Sequence, residues 1–97
     1  MKKKISLDCV YRHSPDTAWR RIKDESVVLD LKTSAYYSLN ETAAMIWEAL
    51  GEGLTPKEAV DRLCKEFDEQ PEEVRRDVET AVSELLSERL ILRSGGD

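Results

Sequence analysis

Apolar residues stand two apart in the first third of this chain and three or four apart in the rest, so the hydrophobic period switches near Asn40. Before the switch, Trp19 to Ile22, Ser26 to Leu31 and Ala35 to Leu39 are short runs rich in β-branched and aromatic residues. Polar turns, Lys23-Asp24-Glu25 and Lys32-Thr33-Ser34, separate them, which predicts two successive hairpins in a three-stranded antiparallel meander. In the middle strand Val27, Leu29 and Leu31 share one face, and Val28, Asp30 and Lys32 the other, as in a sheet with one buried face. In the last strand Tyr37 and Leu39 point one way, Tyr36 and Ser38 the other. A sheet this short needs helices to cover it.

Three helices follow. Asn40 is a good N-cap for a helix whose Ala43, Ile46, Trp47 and Leu50 recur at helical spacing until Gly51. Thr55-Pro56-Lys57-Glu58 is a capping box with proline at the first helical position, and Ala59, Val60, Leu63, Cys64 and Phe67 extend its apolar stripe. A third helix starts near Pro71, carries Glu72 and Glu73 where the helix dipole favours them, and runs Val74, Val78, Ala81, Val82, Leu85, Leu86 to Ser87 or Glu88. Trp47 reads as core. Leu90-Ile91-Leu92 reads as an extended segment packing back, and Ser94 to Asp97 as a frayed end. The expected fold class is α+β, with a three-stranded N-terminal sheet followed by three helices in a winged helix-turn-helix-like set, all in a single domain over 1–97.

Composition narrows the chemistry. With 97 residues, 40% hydrophobic and 36% charged, the chain has the size and make-up of one globular unit. No apolar run nears the roughly 18 residues of a membrane span, and the basic Met1 to Lys4 start lacks the apolar stretch of a signal peptide, so a cytoplasmic location with no membrane is expected. Two cysteines, Cys9 and Cys64, are too few for a disulfide framework or a zinc site and read as small core hydrophobes. The only histidine, His13, stands beside Ser14-Pro15-Asp16 and reads as a solvated loop residue. No P-loop, GxGxxG or CxxC is present, so no enzyme, metal or cofactor is expected. Residues 1–39 hold eight Lys/Arg against five Asp/Glu (+3), and residues 40–97 hold seven against fifteen (−8). The winged-helix likeness raises DNA binding as a rival, but a third helix opening Pro71-Glu72-Glu73 in an acidic half lacks the basic face that phosphate contacts need, so no nucleic acid is expected.

The stretch from Val28 to Glu48, with Tyr36-Tyr37-Ser38-Leu39-Asn40 followed by Ile46-Trp47, resembles the signature of the PqqD-like family, and the likeness runs from about Trp19 to Leu92. The resemblance implies a non-catalytic recognition element for the leader segment of a ribosomally made precursor peptide. The leader would add as a strand beside the third strand, against the third helix, for presentation to a tailoring enzyme, in several systems a radical S-adenosylmethionine enzyme. Family members often carry glycine where Ser34 stands, at a tight hairpin that favours positive φ. Met1 to Tyr11 has no family counterpart and could pair with the sheet or cover that edge. A homodimerisation or scaffold module that pairs the same edge with another copy is the alternative.

Strand addition alone cannot hold a peptide. Ordering six residues costs about 6–12 kcal/mol of backbone entropy, and four ladder hydrogen bonds return about 2–6. Side-chain pockets must supply the rest, at roughly 1.5–3 kcal/mol per buried apolar anchor. The expected site is therefore Ala35, Tyr36, Tyr37, Ser38 and Leu39 for main-chain pairing. Val82 and Leu86 are expected to supply apolar contact, with Arg75, beside Glu79, attracting acidic groups on the peptide.

Overall fold

A computed structural model describes residues 5–94; the expected basic tail at 1–4, and residues 95–97 of the expected frayed end, lie outside it. Eight elements follow in order: β1 (Tyr11–His13), β2 (Thr17–Ile22), β3 (Glu25–Asp30), β4 (Tyr36–Leu39), α1 (Glu41–Gly51), α2 (Pro56–Phe67), α3 (Pro71–Ser87) and β5 (Ile91–Arg93). β2, β3 and β4 form the expected antiparallel meander, and β1 pairs with β5 in a separate two-stranded ribbon. The ribbon aligns Tyr11 with Arg93 and His13 with Ile91. β5 is the extended segment expected at Leu90 to Leu92, with Leu90 and Ile91 buried, whereas its pairing with the three-residue β1 is not readable from local alternation.

The first two helices begin at capping side chains, and α3 begins at Pro71 with no side-chain cap. The Asn40 side chain accepts the Ala43 N–H, and Thr55 and Glu58 form the reciprocal capping box. The core gathers Tyr11, Val28, Ile46, Trp47, Leu50, Leu63, Val78, Val82, Leu85, Leu90 and Ile91. Sequence alternation leaves open which face of the sheet is buried, and the register decides it. Trp19 lies opposite Val28, and Val28 opposite Tyr37, so this face turns to the helices, with Ser26 and Val28 fully buried. The opposite face keeps Val27 and Leu29 half-covered, while Leu31 beyond them is exposed.

The turn between β3 and β4 has the positive φ that a tight hairpin favours. Ser34 has φ 67°, the left-handed region, where an L side chain costs about 1–2 kcal/mol. Glycine removes that cost but loses about 0.5–1 kcal/mol of chain entropy. Ser34→Gly is expected to stabilise by about 0.5 kcal/mol, raising Tm by about 2–4 °C for a domain of this size in calorimetry.

Candidate functional site

Among the described residues β4 is an edge strand, paired with β3 alone. The Asp30 N–H donates to the Ala35 carbonyl at 2.9 Å, and with Val28 opposite Tyr37 the hydrogen-bonded pairs alternate from there. Tyr37 and Leu39 therefore turn their backbone groups to β3, as does the Ala35 carbonyl, while the Ala35 N–H donates to Thr33 Oγ1. Tyr36 and Ser38 turn theirs to the open edge. Of the five residues expected to pair through the main chain, these two carry free donors and acceptors, four groups in all. Side chains alternate the other way: Tyr37 and Leu39 are half-buried on the helix side, whereas Tyr36 is 73% exposed on the outer face.

The described part of the segment that could have covered this edge goes elsewhere. Residues 5–10 run past α2, where the Leu7 carbonyl accepts the Lys57 N–H, and Tyr11 enters the ribbon with β5. Among the described residues the β4 edge is uncovered.

The contact between β4 and α3 lies at the helix end, where the Tyr37 hydroxyl donates to Glu88 Oε1 at 2.9 Å. At 100° per residue, Glu88 sits about 140° around the helix axis from Arg75. Asp77, Ala81 and Glu84 share the Glu88 side. Arg75 instead lines a cavity of about 440 Å³ with Leu7, Asp8, Lys57 and Glu72, on the α2 side of the helix, and lies 4.0 Å from Glu79. Glu79, Val82 and Leu86 follow Arg75 around the helix. Val82 is fully buried in the core, and Leu86 is half-buried against the same core as Tyr37 and Leu39. The polar row Asp77, Glu84, Glu88 lies on the opposite flank of α3 from Arg75 and Glu79.

His13 is not a solvated loop residue. It belongs to β1, and its ring stacks on Trp47 with centroids 3.5 Å apart and planes 8° from parallel. Its Nε2 lies 2.8 Å from the Trp47 carbonyl, so the neutral ring carries its proton there and donates it. A Cβ on Gly51 would approach this ring to 2.6 Å, which explains a glycine at the end of α1. Burial lowers the imidazole pKa below its ordinary 6.5, opposed by the bond to Trp47. The unfolded chain therefore takes up a proton more readily. The stability this ring contributes is present above pH 6.5 and lost as pH falls from there through the lower folded value. Urea titrations between pH 7 and 5.5 should show falling stability in the wild type and a flatter profile in His13→Gln.

Both cysteines are half-buried against the core and unbonded, and among the described residues no group of His, Cys, Asp or Glu converges as a metal site. No helix of the described residues is long and apolar enough to cross a membrane.

Comparison with known proteins places this geometry. Two solved structures resemble the chain in fold and sequence. TbiB1 in complex with the TbiA(beta) leader peptide has a TM-score of 0.78 at 32% identity, covering 89% of this chain and 99% of that one. Lasso peptide synthetase B1 complexed with the leader peptide has a TM-score of 0.77 at 27% identity, covering 84% and 96%. The PqqD truncation of Methylobacterium extorquens PqqCD, solved by NMR and described as a stand-alone recognition element for ribosomally synthesised and post-translationally modified peptides, has a TM-score of 0.74 and covers 91% and 94%. Its 18% identity speaks to the fold alone. No curated protein sequence matches the chain. The model of one family, described as coenzyme PQQ synthesis protein D (PqqD), matches residues 25–91, which include the β4 edge and all three helices. The chain belongs to that family.

Proposed function

We propose that this protein is a non-catalytic recognition element that binds the leader segment of a ribosomally made precursor peptide and presents it to a tailoring enzyme. The observation that carries this reading is the uncovered β4 edge, with the backbone groups of Tyr36 and Ser38 unpaired beside the Glu88 end of α3. Two similar structures described as leader-peptide complexes support it. The leader adds to β4 as a fourth strand through those four groups. Because they return only about 2–6 kcal/mol, alternate side chains of the leader must settle between β4 and the Asp77–Ala81–Glu84–Glu88 flank of α3. Tyr37 and Leu39 form the floor between those walls.

Titrating a synthetic leader from the cognate precursor into ¹⁵N-labelled protein should shift the amides of residues 36–39 and 77–88. Saturable binding that leaves those amides still and moves only others would refute the site. Pairing of the same edge with a second copy would compete with the leader. Sedimentation at increasing protein concentration, with and without peptide, separates the two.

A further inference from the structure

Beside Tyr37 lies a cavity of about 410 Å³ between the loops flanking β3 and the end of α3, lined among others by Asp16, Asp30, Lys32, Tyr37, Glu88 and Arg89. Its charges are not evenly matched. Lys32 Nζ lies 3.6 Å from Asp16, so that pair largely offsets itself. Asp30 accepts the backbone N–H groups of Lys32 and Thr33 on one oxygen, and Glu88 accepts the Tyr37 hydroxyl. That leaves two carboxylates facing the single guanidinium of Arg89. The Tyr37 phenol pKa is raised, first by the hydrogen bond to Glu88, then by desolvation, then by the charges of Glu88 and Asp30.

Register then says which peptide residue meets this potential. A strand added antiparallel and bonded to the backbone of Tyr36 and Ser38 places one residue opposite Tyr37 in a non-hydrogen-bonded pair, where Cα atoms come within about 4.5 Å and side chains approach most closely. That residue projects to the same face as Tyr37, toward Glu88. Resting on the docking reading above, we infer that the bound peptide carries a lysine or arginine opposite Tyr37, received by Glu88 with Asp30 beside it. The preferred ligand is thus an extended segment with a cation at one fixed position. The net charge of −8 on residues 40–97 favours its approach as well.

The probe is a display library of random twelve-residue peptides, selected against the wild-type protein and against Glu88→Lys and Glu88→Gln. Glu88 is exposed, and circular dichroism checks that both variants keep the fold. The expected result is enrichment of Lys or Arg at one position in wild-type binders, about tenfold weaker binding when that residue is changed to Glu, reversal toward Asp or Glu with Glu88→Lys, and loss of preference with Glu88→Gln. Enriched peptides that shift the Tyr36 and Ser38 amides yet show no basic position, or an unchanged preference in Glu88→Lys, overturn the inference while leaving the docking reading intact. Binders that never touch β4 overturn both.

Discussion

Trp47→Ala is expected to lose about 3–5 kcal/mol of folding stability, the range for emptying a large aromatic site in a core. Trp47 is fully buried, with the His13 ring on one face and the edge of Trp19 at a centroid distance of 6.2 Å. Alanine removes both ring contacts at once. These come from β1 and β2, so the void opens where the ribbon, the sheet and α1 meet. Domains of this kind have about 5–15 kcal/mol in total, so the variant should be barely folded at 37 °C. Trp47→Phe should cost less than half as much. It keeps a ring for His13 to stack on and deletes the indole N–H, which is buried without a partner, a defect that itself costs about 1–3 kcal/mol. Urea unfolding followed by circular dichroism measures both, and a loss below about 1 kcal/mol for alanine would contradict the packing described.

Proline scanning of β4 should separate binding from folding between adjacent residues. Ser38→Pro removes an N–H that faces the open edge, where a sheet tolerates proline. The fold should survive, while the lost donor and the ring obstructing the edge weaken leader binding at least tenfold. Tyr37→Pro removes an N–H that pairs with β3 and should disrupt the meander itself. Isothermal titration paired with thermal melts reads both properties. Equal loss of folding in the two variants would overturn the assigned alternation, and unchanged leader affinity in folded Ser38→Pro would remove β4 from the site.

The helices were legible because each announces itself several times over. Asn40, the Thr55 box and Pro71 mark starts, and apolar residues at helical spacing mark faces. The meander was legible from its turns, and Ser34 has the left-handed backbone expected of a tight hairpin there. The β1–β5 ribbon was not, because its strands pair residues from opposite ends of the chain and no local pattern encodes a distant partner. For the same reason His13 looked solvated: the groups that bury it, Trp47 and Gly51, lie 34 or more residues away. The free backbone of Tyr36 and Ser38 follows from register, which needs the pairing partner as well as the strand. Which flank of α3 walls the groove is not legible in sequence, because the breadth of an apolar stripe tells how much of a helix is buried, not which neighbour buries each side.

The ribbon also sets an order of events during synthesis. β1 is made first and β5 last, so His13 has no strand partner until residues 91–93 emerge from the ribosome. The meander and α1 pair with near neighbours in sequence and can assemble while translation continues. The cover over Trp47 cannot close until β5 is made. A chain stopped after Arg89 would therefore display a formed β4 edge, with Glu88 beside it, on an unsealed core exposed to proteases at its first strand.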